Sequence, residues 1–293
     1  MQPLNNYRER VAAFLKSDTF KTLKTYCNQR KKSLLKDFFN SAAEYKELHQ
    51  AKPSLHKNSP QGDGHPVLVI PGFTANDFFT APLRHILQDK GYKPYKWKGG
   101  FNIGLKDKTT EHLARRLKEI YEENGNQKVS LIGHSLGGFY ARTLAQEFPD
   151  MVRDVITVDT PFGIGMKQDA APAFVVSTIL KLSEAKYSIN NEGMSERLLT
   201  PPQMPTTSIF SKIDTVAGWQ ACLNPATPLS ENIEIKATHI GSVWNKEAFV
   251  IILDRLAQPE GKWKPHKTPA NDAPPPNPNW KPKSSGWKLF PKI

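Results

Sequence analysis

Cysteine is almost missing: Cys27 and Cys222 are the only two in 293 residues. Two thiols cannot build a disulfide framework or a zinc cluster, and such sparse use suits a reducing compartment. Long apolar runs are missing too, since no stretch approaches the ~18–20 residues that span a bilayer. The N-terminus meets Arg8, Glu9 and Arg10 before its first apolar run, residues 11–15. That run is too short for the apolar region of a secretory signal. A soluble, cytoplasmic protein is expected, with peripheral membrane attachment and secretion without a cleaved signal left open.

The body of the chain lacks net charge. Residues 1–60 hold 12 basic and 5 acidic side chains and residues 259–293 hold 7 and 2, which leaves 21 of each sign between them. The whole surplus of +12 therefore belongs to the ends. A neutral body argues against a phosphate-tracking groove, so no nucleic acid is expected as partner. Basic ends suit an anionic membrane surface, or simply solubility.

Three regions follow. Residues 1–64 read as a basic helical extension, with Leu34, Leu35, Phe38, Phe39, Ala42, Tyr45 and Leu48 on one helical face and Lys31, Lys32, Lys36, Asp37, Glu44 and Glu47 on the other. A weaker helical pattern precedes it at Val11, Phe14, Leu15, Phe20 and Leu23. Residues 51–64, with Pro53, Pro60, Gly62 and Gly64, read as a polar link. Residues 65–258 alternate strand and helix signals, the pattern of a mostly parallel sheet covered on both faces. Strands are expected near 67–70, 92–97, 128–133, 152–158, 207–213 and 233–237, and helices near 76–90, 109–124, 136–148 and 244–257. Residues 163–205 interrupt the alternation. Residues 259–293 carry nine prolines and Trp263, Trp280 and Trp287 beside lysines, and are expected to be extended or disordered.

Chemistry is concentrated at Gly133-His134-Ser135-Leu136-Gly137-Gly138, where a strand hands over to a helix. A serine displayed on so sharp a turn needs glycines two before and two after it, so that strand and helix can approach. A serine at its ordinary pKa is a poor nucleophile and requires a histidine to take its proton and a carboxylate to orient that histidine. Downstream of Ser135 only His239 and His266 remain, and His266 lies in the proline-rich tail. His239 is the expected base. Asp214, just past the strand at 207–213, is the preferred acid, with Asp159 after the preceding strand as the alternative. Two backbone amides should meet the oxyanion, from Leu136 and from Phe73 in the loop after the first strand, with Thr74 next in line. His134 is read as a packing residue.

These motifs resemble the α/β-hydrolase superfamily, and within it the bacterial lipase and esterase branch. Residues 67–73 look like the oxyanion loop, Gly133 to Gly138 like the lipase elbow, Ser211-Lys212-Ile213-Asp214 like the acid loop, and Thr238-His239-Ile240-Gly241 like the histidine loop. The likeness covers about residues 65–258. It implies an α/β-hydrolase fold with a short helical cap at about 163–205, needing no metal and no cofactor. The implied activity is hydrolysis of carboxylic esters with a hydrophobic acyl or alcohol group, through an acyl-enzyme on Ser135. Thr74, with Phe174 and Ile179 of the cap, would line the substrate. An acyltransferase using the same acyl-enzyme, and a non-catalytic binding or scaffold protein, are the competing readings.

Overall fold

The computed structural model describes residues 31–163, 197 and 200–266. The early pattern at residues 11–23, the cap with Phe174 and Ile179, and the tail from 267, with Trp280 and Trp287, lie outside the described residues. So do the side chains of Leu34, Leu35, Phe38 and Phe39. Six strands form one sheet: β1 (Pro66–Ile70), β2 (Lys93–Lys96), β3 (Val129–His134), β4 (Val152–Val158), β5 (Thr206–Ser211) and β6 (Ser230–Ile235). Their order is β2-β1-β3-β4-β5-β6, and every neighbouring pair is parallel. The helices are α1 (Lys31–Asn58), α2 (Ala81–Asp89), α3 (Asp107–Glu123), α4 (Leu136–Glu147) and α5 (Lys246–Leu256).

Alternation along each strand divides the core into two layers, because successive side chains point to opposite faces. Leu68 and Ile70 of β1 join Leu113 and Leu117 of α3 and Tyr140 and Leu144 of α4. Val67 and Val69 turn the other way, toward Leu83 and Leu87 of α2 and Phe249 and Ile252 of α5. A parallel strand covered on both sides has no solvent face, and β1 is accordingly apolar throughout. The chain reverses its winding between β1 and β3, the place where open parallel sheets leave a crevice beyond their carboxyl ends.

The amino-terminal helix differs from the sequence expectation in two respects. Residues 51–58 are not a link, since α1 continues through Pro53 to Asn58. The helix packs on the body: Leu48 and Leu55 are buried in the same layer as Phe249 and Val67. Tyr45 meets Trp244 edge-on at 5.3 Å, and Lys246 pairs with Glu47 at 3.4 Å. Burying Leu55 is what carries the helix past position 51. Glu44, assigned from the pattern to the solvent face, instead reaches the body, where its Oε1 accepts the Thr238 amide at 2.9 Å.

The first residues of the proline-rich segment are fixed in place. Residues 259–266 are neither helix nor strand, yet they are tied to the body. The Lys264 carbonyl accepts from Arg255, and the His266 amide donates to Glu231 at 2.6 Å. No helix among the described residues is long and apolar enough to cross a membrane.

If α1 belongs to the core, Leu48→Ala should lower the unfolding free energy by ~2–5 kcal/mol, whereas Val250→Ala, on the half-exposed outer face of α5, should stay within ~0.5 kcal/mol. Urea denaturation of both variants distinguishes this from a helix loosely appended to the body.

Candidate active site

The loops that leave the carboxyl ends of β1, β3, β4, β5 and β6 meet above the sheet. Gly133 and Gly137 set the first constraint. A Cβ on Gly133 would lie 2.5 Å from the Gly137 backbone, and one on Gly137 would lie 2.3 Å from the Ile70 carbonyl oxygen. Only glycine permits the strand and helix to pack this closely. Between them Ser135 has φ 50° and ψ −122°, a conformation unfavourable for a residue with a Cβ. Its amide is held by the Val158 carbonyl at 2.8 Å.

His239 lies just beyond β6. Its Nε2 is 3.0 Å from Ser135 Oγ, and its Nδ1 is 2.6 Å from Asp214 Oδ2. The charged oxygen can only accept, so Nδ1 carries the hydrogen and Nε2 offers its lone pair to the serine hydroxyl. Asp214 also accepts the amides of Val216 at 2.6 Å and Ala217 at 2.9 Å on Oδ1. Three hydrogen bonds thus hold one carboxylate whose side chain is almost completely buried.

The histidine backbone is fastened as well. The His239 carbonyl accepts from His134 Nε2 at 2.9 Å and from the Ser242 hydroxyl at 3.0 Å. Burial, reinforced by the neighbouring His239, pushes the His134 imidazole down to about 3. A neutral ring whose Nε2 faces a carbonyl must carry its hydrogen there. His134 therefore does more than pack. On the other side of the loop, Glu44 accepts from Thr238.

The loop after β1 is shaped by Asn102, whose side chain donates to the Pro71 carbonyl at 2.8 Å. The Thr74 amide donates to the Asn102 carbonyl at 2.7 Å, so it is already committed. The Phe73 and Leu136 amides donate to no group among the described residues. Asn102, Ser242 and Glu44 all escaped the sequence reading: none belongs to a motif; Asn102 and Glu44 reach a backbone distant in the chain, and Ser242 bonds the carbonyl three residues before it.

The second acid considered, Asp159, stands close by, but the structure brings Asp214 to His239 Nδ1. Asp159, Asp214 and His239 present atoms within 4.8 Å of one another. A metal ion there would have to displace one of the imidazole's two hydrogen bonds, because neither ring nitrogen is spare.

A second row of the same residue types occurs at the opposite ends of the strands. His65 meets Asp63 through Nδ1 and Ser130 Oγ through Nε2 at 2.9 Å, and Ser130 donates to Asp154 at 2.8 Å. Ser130 and His65 are fully buried, which shuts this hydroxyl off from any substrate.

Comparison with known proteins agrees with this architecture. The family described as the alpha/beta hydrolase fold matches over residues 71–190. A triacylglycerol lipase from Pseudarthrobacter phenanthrenivorans is 30% identical over 105 residues, which is 33% of each chain. Matches to curated relatives span between a tenth and a third of those proteins' lengths. Among solved structures, a monoacylglycerol lipase from Paleococcus ferrophilus superposes with a TM-score of 0.51 at 18% identity, covering 68% of this chain and 96% of that one. Aspergillus fumigatus lipase B gives 0.52 at 16% identity, covering 68% and 54%. With the parallel sheet, the order of its loops and the glycine-bounded turn at Ser135 in agreement, the chain has the α/β-hydrolase fold.

Proposed function

We propose that this protein hydrolyses carboxylic esters through an acyl-enzyme on Ser135, with His239 as general base and then acid, and Asp214 holding the imidazole. The observation that carries the reading is the unbroken row from Asp214 Oδ2 through His239 to Ser135 Oγ, at 2.6 Å and 3.0 Å. His239 takes the hydroxyl proton as Oγ attacks the ester carbonyl, then delivers it to the departing alkoxide. A water molecule repeats the cycle on the acyl-enzyme. The free amides of Phe73 and Leu136 are suited to receive the oxyanion, a task in which a preorganised donor is worth a few kcal/mol.

A lipid ester is the substrate class this reading favours. Relatives bearing the names triacylglycerol lipase and monoacylglycerol lipase share the fold. An apolar trough of about 530 Å³, lined by Tyr45, Leu48, Phe78, Pro82 and Trp244, adjoins the loop after β1 and the turn after His239. Phe78 is 81% exposed there, and a hydrocarbon chain would cover it.

Ser135→Ala should reduce hydrolysis of a p-nitrophenyl ester by ~10⁴-fold or more and abolish labelling by a fluorophosphonate, while Asp214→Asn, which favours the wrong tautomer, should cost ~10³- to 10⁴-fold in kcat. Wild-type turnover in Ser135→Ala would sink the mechanism. Glu44→Ala, which releases the Thr238 amide next to His239, is expected to lower kcat by ~5- to 30-fold in a folded protein, and Glu44→Gln should retain most activity because it keeps an acceptor. Steady-state kinetics with circular dichroism as a control for folding measure both. Across p-nitrophenyl esters from acetate to palmitate, kcat/KM should rise with chain length; a preference for acetate would exclude the lipid substrate.

A further inference from the structure

Asp159 ends β4 in a costly setting. It has φ 46°, and its carboxyl group is completely buried. Oδ1 accepts the Ser211 amide at 3.0 Å. Oδ2 is buried with no hydrogen-bond partner among the described residues. Ser211 in turn donates its hydroxyl to the Ala237 carbonyl at 2.7 Å, so Asp159 supports the point where the acid loop and the histidine loop leave the sheet.

Two carboxyl groups this close in a dry site cannot both be ionised. Asp214 is the better placed to keep the charge, since it faces the imidazole and two backbone amides. Asp159 faces one backbone amide. We propose that Asp159 is a positioning residue that sits beside Asp214 as a neutral carboxylic acid, its Oδ1 holding Ser211 and its Oδ2 bearing a proton directed at the Asp214 carboxylate. The role rests on the reading of Asp214 and His239 given above, whereas the protonation can be tested without it.

Burial and the charge of Asp214 raise the Asp159 pKa well above the ordinary carboxylate range, and His239, when protonated, opposes them. Among the described residues the buried Cys222 thiol also faces this site, itself pushed up by burial and by both aspartates, and His134 packs beside His239. A raised pKa in the folded state means that between pH 4 and the folded value the unfolded chain has lost a proton that the folded chain retains. Stability is then lost as pH rises through that window. Asn at position 159 removes the effect while keeping both an acceptor and a donor.

The test compares full-length wild type, Asp159→Asn and Asp159→Ala. Asn is expected to cost less than ~10-fold in kcat. Ala should cost at least ~10-fold more than Asn, because the Ser211 amide then loses its acceptor. The Tm of Asp159→Asn relative to wild type should climb as pH is raised from 4 to 8. A loss of ~10³-fold in Asp159→Asn, matching Asp214→Asn, would make Asp159 the charged acid and overturn the proposal; so would a Tm difference that stays flat or falls with pH. Should Ser135→Ala keep its turnover, the hydrolase reading fails while the Tm arm still decides the proton. If Asp159→Asn does not fold, carboxyl ¹³C NMR of aspartate-labelled wild type at pH 7.5 replaces it. Asp154, pushed up to about 6 by burial, is mostly ionised there. One aspartate remaining protonated supports the proposal, and none refutes it.

Discussion

Close approach of β3 and α4 is the constraint on which the site depends. With Gly137 against the Ile70 carbonyl, the helix starts directly above the sheet, and Ser135 is forced into a conformation that extended chain never supplies. That contact determines where the hydroxyl stands relative to every other loop. The surrounding core exists in part to oppose the strain. Tyr140 of α4 donates to the Gly104 carbonyl at 2.7 Å, and Arg142, fully buried, lies 3.8 Å over the Phe162 ring while donating to Asn224. Such contacts keep α4 from relaxing away from the strand.

The histidine loop solves a different problem. Loops are the least restrained parts of a fold, yet a proton-transfer group must be held to a fraction of an ångström. Here the backbone around His239 is bonded by Glu44, His134 and Ser242, from three separate parts of the chain. No single bond is strong. Together they give the imidazole one orientation before any substrate arrives, which is what electrostatic preorganisation requires.

Much of this was legible in the sequence because the relevant signals are local. The apolar run at β1, the alternating elements and the glycines around Ser135 are each read from neighbours in the chain. Elimination left His239, as the only histidine after Ser135 outside the proline-rich tail. The sequence favoured Asp214 over Asp159 without deciding between them, since both follow strands and only the three-dimensional path of two loops determines which carboxylate meets Nδ1. Glu44 was misplaced for a related reason: a charged residue among charged neighbours on a helix looks like a solvent contact until a buried amide is found opposite it. The continuation of α1 through Pro53 accompanies the burial of Leu55 in the core layer that also holds α5, a tertiary effect that outweighs the local preference for a break.

The row of Asp63, His65 and the buried Ser130 shows how little a list of residue types and distances says by itself. A geometric template of carboxylate, imidazole and hydroxyl would count two reactive centres in this protein, one at each end of the same sheet. Requiring a positive φ at the serine and a residue that is not wholly closed off leaves one candidate, Ser135, 7% exposed against 0% for Ser130. The discriminating information is in the strain and the access, two properties that a three-point template discards.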